Sequence, residues 1–286
     1  MSAVSPIRSL HREPQREYGY VSCIAPLRFF YVMGIDATQS KEVAQMPSHA
    51  RRPPLRSQVR NRILLALPEH EFQHVFRNLT FVSLRHRQVL YSADNWIDYA
   101  YFMNSGMTSS VTVTAGGQIL QDGTVGNEGL MGSQAVLGED QIFCSGVVQI
   151  PGNAMRIGSQ ELKYESQHNA GLSKLLLDYT SALRLQVGQS AICNNSHSLD
   201  QRLCRLLLMS QDCAQSSSFP FTFEFLSHMV GATRATVSLA VEALCQAGLI
   251  SYGRCRIRIL DSAGIRGRGC KCHQIVARKR DRLAAA

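Results

Sequence analysis

Hydrophobic and polar positions change their rhythm several times along the chain. Residues 1–56 mix Pro, Arg, Ser and Gln without a sustained period and close on Arg51-Arg52-Pro53-Pro54, which reads as a disordered extension. Met46 lies just ahead of the patterned part and offers an alternative start, which would leave 1–45 outside the native protein. Leu55–Asn78 places Ile63, Leu64, Leu67 and Phe72 at helical spacing, with Pro68-Glu69 breaking or restarting the helix. From Phe81 to Ile157 short apolar runs alternate with turn signals. The runs are 81–84, 88–91, 99–104, 109–114, 118–120 and 146–150. Ser105-Gly106, Ala115-Gly116-Gly117, Asp122-Gly123 and Pro151-Gly152 separate them. Short strands at this cadence predict an all-β roll or barrel.

Helical spacing then returns. Leu172, Leu176, Tyr179, Leu183 and Val187 recur every three or four residues within a predicted helix of roughly 25 residues, about Glu161–Ser190. The pattern leaves two readings open, a seam that pairs with a second copy of the chain and a helix packed on its own domain. Leu199–Ser210 predicts a further helix carrying Leu203, Leu206 and Leu207, and Ser216–Phe219 a loop.

Composition adds less than it first suggests. The net charge of +9 comes from 30 basic and 21 acidic residues. The excess sits in the two ends, because residues 57–262 hold fifteen Lys/Arg against sixteen Asp/Glu. Charge alone therefore does not mark the patterned part as a nucleic-acid binder. Nine scattered cysteines fit a reducing compartment rather than a disulfide framework. Tyr18–Ile35 is interrupted by Pro26 and Arg28 and is too short to span a bilayer, and no cleavable signal follows the early arginines. The expected location is the cytoplasm, without membrane partners.

The segment Thr222–Asp261 is more specific. Thr222 is placed to cap one helix, with Leu226, Met229 and Val230 on its inner face and Glu224 in its first turn. Gly231 suits a tight turn of positive φ. Thr233 caps a second helix anchored by Val237, Ala240, Val241 and Leu244, which leaves Arg234, Ala235, Thr236 and Ser238 outward at its start. That division is what a DNA recognition helix requires. Leu249–Leu260 reads as a hairpin bending at Tyr252-Gly253-Arg254, with Arg254, Arg256 and Arg258 alternating onto one face suited to phosphates.

On these residues the chain resembles the Crp/Fnr family of bacterial transcription regulators over about Ser57–Asp261. Phe225–Ser238 and Ala247–Ile257 carry the likeness most specifically, supported by Asn61–Pro68 and Val125–Gly132. The resemblance implies an α+β protein: a double-stranded β-helix (jelly-roll) sensor domain, a long dimerisation helix and a C-terminal winged helix-turn-helix. The corresponding boundaries are 57–158, 159–193 and 194–262, with 263–286 as a basic disordered tail. It implies that Arg234 reads guanine and that Thr233, Thr236 and Ser238 contact phosphate or bases. Thr222, Arg254 and Arg256 complete the expected DNA contacts. Ala235 and Leu239 stand where members often carry Glu and a second Arg, so the half-site is expected to differ from the best-known palindrome.

Cyclic-nucleotide-binding members follow a Gly-Glu turn with an arginine that neutralises the phosphate. Here Val125, Gly126, Glu128 and Gly129 are the expected effector turn, yet no Arg or Lys lies between Arg87 and Arg156. A buried phosphate without a cation loses its main charge-assisted contact, so tight cAMP or cGMP binding is not expected. No P-loop, iron–sulfur set or haem ligand pair emerges; His70, His74 and His86 read as ordinary side chains. Cys270-Lys271-Cys272-His273 offers three soft ligands without a visible fourth, so no metal is expected. Cys193, Cys204 and Cys213 read as core fillers. The expected partners are double-stranded DNA, RNA polymerase and a second copy of the chain, with no cofactor evident and an unknown effector. The alternative is a ligand-sensing or protein-interaction module without specific DNA readout; an enzyme has least support, since no nucleophile–base or paired-carboxylate motif is present.

Overall fold

The computed structural model describes residues 55–283 apart from Asp94, 114–118 and 139–142. The extension expected at 1–56 falls, up to residue 54, outside the described residues.

Local signals set the first elements. The Asn61 side chain accepts the N–H groups of Ile63 and Leu64 at 3.1 and 3.2 Å and opens α1 (Arg62–Leu65). Pro68 restarts the chain as the cap of α2 (Glu69–Arg77). Strands β1 (Thr80–Leu84), β2 (Val89–Tyr91), β3 (Tyr99–Val113), β4 (Ile119–Val125), β5 (Leu130–Met131) and β6 (Ser145–Gly158) then form one antiparallel sheet. Its order is β1-β6-β3-β4, with β2 also on β6 and β5 on β3. The roll expected from the turn cadence is present, but two of the separators are not turns. β3 runs straight through Ser105-Gly106, and β6 through Pro151-Gly152. Ladder register shifts around Ser105, and Gly106 takes φ 81°. A Cβ on Gly106 would stand 2.5 Å from the Ile150 carbonyl oxygen. These glycines therefore mark bulges where two long strands cross closely.

The single helix expected over about 161–190 is two: α3 (Ser159–His168) and α4 (Ala170–Ser196). Asn169 breaks them in an extended conformation, its amide donating to Glu165 Oε2 at 2.7 Å. Glu71 of α2 accepts the N–H groups of Gly171 and Leu172 at 3.0 and 2.8 Å. The free end of α4 is thus capped by a carboxylate from the roll side.

Helix α5 (Leu199–Ala214) starts from a Ser198/Gln201 capping box. It leads into β7 (Ser218–Phe219), α6 (Phe223–Val230), α7 (Arg234–Gln246), β8 (Ile250–Gly253) and β9 (Arg256–Ile259), with a small sheet ordered β7-β9-β8. The segment expected as a loop at 216–219 contributes β7. One apolar cluster joins Leu203, Leu207, Leu226, Val237 and Leu244 to Met107, Val111, Val147 and Ile150 of the roll. The two halves share a core.

The basic tail expected at 263–286 is instead helical as far as Leu283. Asp261 accepts from Ala263 and Gly264 at 2.9 and 3.0 Å and starts α8 (Ser262–Arg268), whose Ile265 is fully buried. Helix α9 (Cys272–Leu283) packs on α4 and α5. Arg280 and His273 both reach Asp212 of α5 at 2.8 Å, and Val276 is buried. The helix-turn-helix domain therefore continues past 262, and the C-terminal charge belongs to a docked element. No helix among the described residues is long and apolar enough to cross a membrane.

Candidate DNA-binding surface and effector turn

The two threonine caps form as the local sequence dictates. Thr222 Oγ1 accepts the Phe225 N–H at 3.1 Å and Thr233 Oγ1 that of Thr236 at 3.2 Å. The Thr233 and Thr236 hydroxyls also bond each other at 2.6 Å. Gly231 turns between α6 and α7 with φ 61°, a conformation that disfavours any side chain. Val237, Ala240, Val241 and Leu244 bury the inner face of α7. Arg234, Ala235 and Thr236 are exposed at its start, Ser238 is half-buried, and Leu239 is 67% exposed. The Arg234 guanidinium makes no hydrogen bond or ion pair within the described residues.

The wing differs in one detail from the expected alternation. Gly253 pairs with Arg256, so the bend is Arg254-Cys255, both at positive φ (51° and 56°). Arg254 thus projects from the tip, while Arg256 and Arg258 share the exposed face of β9, with Ile257 and Ile259 opposite them in the core. Arg256 Nη2 also donates to Ser218 Oγ at 3.4 Å. The expected DNA residues accordingly split into exposed guanidinium groups (Arg234, Arg254, Arg256) and hydroxyls engaged in holding the helix starts (Thr222, Thr233, Thr236).

The effector turn is packed against the chain's own helices. A Cβ on Gly126 would meet the Cys213 Cα at 2.5 Å, and one on Gly129 would meet the Tyr179 ring at 2.5 Å. Cys213 Sγ donates to Glu128 Oε1 at 3.8 Å, and the Tyr179 hydroxyl donates to the Leu130 carbonyl at 3.1 Å. Burial first, then the Glu128 charge, pushes the Tyr179 phenol and the Cys213 thiol well up. Of the expected effector residues, Val125 alone lines the adjoining cavity, about 110 Å³ between the roll and Leu183 and Val187 of α4. That is well below the ~300–1,000 Å³ of typical small-molecule sites. Gly126, Glu128 and Gly129 are buried instead as the contact between the roll and α4 and α5, a correction that follows from glycine allowing such close approach.

The Glu128 charge acts across the fold on Arg280 of α9. Burial works against the Arg280 charge, but Glu128 and Asp212 more than offset it and hold the guanidinium firmly charged.

The expected dimer seam needs correcting in the same way. Leu172, Leu176 and Tyr179 are buried against the chain's own roll, and Leu183 is half-buried against it. Val187 is 40% exposed, while Leu177 and Ile192, not singled out in the sequence, are 60% and 51% exposed. The spacing found the apolar face of α4, and that face is covered by the roll.

His86, one of the histidines weighed for haem, bonds the Gln149 carbonyl through Nδ1 at 2.9 Å. Cys204 and Cys213 are buried core fillers, as expected. Cys193 is fully buried too, but it meets Cys270 and Cys272 of the C-terminal segment rather than the main core. Two further ligands, Cys193 and His197, stand beside Cys270 and Cys272, while His273 bonds Asp212 and is not among them; the expectation of no metal set loses its premise.

Comparison with known proteins agrees with the geometry. Residues 201–268 match the Crp-like helix-turn-helix domain, which extends the DNA-binding unit through α8. No curated protein matches the chain by sequence. FixK2 from Bradyrhizobium japonicum is similar in structure, with a TM-score of 0.58 at 15% identity, covering 67% of this chain and 98% of that one. The c-di-GMP-responsive global regulator CLP of Xanthomonas campestris gives 0.55 at 13% identity, covering 67% and 99%. A CRP-family transcriptional regulator from Thermus thermophilus, TTHB099, gives 0.54 at 16% identity, covering 65% and 95%. With a curled antiparallel roll, a long connecting helix and this C-terminal domain, the chain has the fold of these regulators and carries, over residues 201–268, a Crp-like helix-turn-helix domain.

Proposed function

We propose that the protein is a homodimeric, sequence-specific transcription regulator that reads an inverted repeat in double-stranded DNA and works with RNA polymerase in the cytoplasm. The observation that carries this reading is Arg234, exposed and unpaired at the start of a helix whose other face is anchored in the core. A free guanidinium at that position suits bidentate contact with guanine in the major groove. Arg254 at the wing tip and Arg256 beside it suit phosphate contacts that position the helix. Ala235 and Leu239 add no polar group to the readout, which favours a half-site of its own.

The second copy is supported by the outward face of α4, where Leu177, Val187 and Ile192 stay exposed. The filled effector turn and the small cavity beside it support a signal other than cAMP or cGMP. The shared core between roll and DNA-binding domain supports a relay in which a change in the roll reorients α7. Replacing Arg234 with alanine is expected to weaken binding to the preferred site by about 1–3 kcal/mol and to relax one base position. Titration of wild type and variant against the selected site and its single-base variants measures both; an unchanged base preference removes Arg234 from readout.

A further inference from the structure

The cysteines at the C-terminal end hold a chemistry that DNA binding leaves unused. Cys193 and His197 stand one turn apart at the end of α4, and Cys270 and Cys272 frame the start of α9. Their four ligand atoms all lie within 4.8 Å of one another. Cys193 Sγ and Cys270 Sγ are 3.6 Å apart, as are Cys272 Sγ and His197 Nδ1. Around tetrahedral zinc, with Zn–S about 2.3 Å and Zn–N about 2.0 Å, sulfurs stand about 3.8 Å apart and a sulfur and a nitrogen about 3.5 Å. The set is therefore sized for one ion. A disulfide needs sulfurs at about 2.0 Å, and all four cysteines of this region, Cys193, Cys204, Cys270 and Cys272, are free thiols.

The surroundings suit the resulting charge. Three thiolates, a neutral imidazole and Zn²⁺ sum to one negative charge. Arg205 of α5 is buried and lies close enough for its charge to act on Cys193 and Cys272. Its Nη2 donates to Ser190 Oγ at 2.6 Å, while its buried Nε has no partner among the described residues. A buried guanidinium offers charge balance and an N–H donor to a thiolate shell.

We propose that Cys193, His197, Cys270 and Cys272 form a Cys₃His structural zinc site. Binding converts three thiols to thiolates and releases three protons, and the four ligands leave no open position for catalysis. The whole winged helix lies in the chain between Cys193 and Cys270, so the ion pins both of its ends to the end of α4.

The test uses the full chain, purified under reducing conditions and dialysed against a weak chelator. One zinc per chain is expected by elemental analysis. Cobalt(II) is expected to give the visible spectrum of tetrahedral, thiolate-bound cobalt. The Cys270→Ser/Cys272→Ser double variant is expected to lose the stoichiometric metal, and Cys245→Ser to keep it. Three outcomes overturn the site: neither stoichiometric zinc nor a tetrahedral cobalt spectrum in the wild-type chain, iron with inorganic sulfide in place of zinc, or zinc retained by the folded double variant. If the double variant does not fold, the wild-type cobalt spectrum decides.

Discussion

Asp212 illustrates how a single residue holds an element that the local sequence does not announce. Burial pushes its carboxyl up, but the hydrogen bond from His273 and the charge and hydrogen bond of Arg280 outweigh that and hold it below the usual carboxylate range. A depressed folded pKa contributes stability above the unfolded value, near 4, and loses it as pH falls through the folded value. Asp212→Asn is therefore expected to cost about 1–3 kcal/mol at neutral pH by leaving Arg280 underpaired. It is also expected to flatten the acid limb of the stability profile below about pH 5. Urea unfolding from pH 3 to 7 measures both, and parallel curves for wild type and variant would contradict this role. Residue-scale features with near neighbours were legible in the sequence. Thr222, Thr233 and Gly231 act within one helical turn of themselves, so residue type and spacing suffice. Asp212 was not legible, because its partners lie 61 and 68 residues away.

At the scale of elements, periodicity identified apolar faces correctly without saying what covers them. The Leu172–Tyr179 stripe is as apolar as a dimer seam would be, but Glu71 and the roll claim it within one chain. The two faces of α4 should therefore respond differently to charge. Leu177→Glu, on the exposed face, is expected to leave the fold intact and shift the protein to monomer in light scattering. Leu172→Glu buries an unpaired carboxylate and is expected to cost several kcal/mol of stability. Retention of the dimer in folded Leu177→Glu would place the interface elsewhere. Turn signals were misread where a glycine serves close approach. Ser105-Gly106 and Pro151-Gly152 look like ends of strands, yet each lies inside a long one, since a bulge and a turn draw on the same residue. Helix α9 escaped notice because little of it is apolar; Cys272, His273 and Val276 are its buried residues, and charge dominates the remainder.

Across the whole molecule, the roll, α4, the winged helix and the C-terminal helices form one connected body. The roll contributes Met107, Val111, Val147 and Ile150 to the DNA-binding core, Glu128 faces Cys213, and Arg280 ties α9 to α5 through Asp212. Removing residues 263–286 as though they were a tail would take away Ile265, the Arg280–Asp212 pair and half of the Cys₃His set. The order of domains was legible from changes of hydrophobic rhythm, and the recognition helix from its capped, one-sided pattern. What joins the domains was not, because every joining contact spans long separations in sequence. In the proposed function this body presents Arg234 to a two-fold DNA site. Selection from random DNA with the intact, purified full chain, followed by footprinting, tests it most directly. An inverted repeat with half-site centres about one helical turn, ~10 bp, apart and protection on both half-sites is expected. Recovery of unrelated sequences without a repeat, bound equally well by Arg234→Ala, would contradict it.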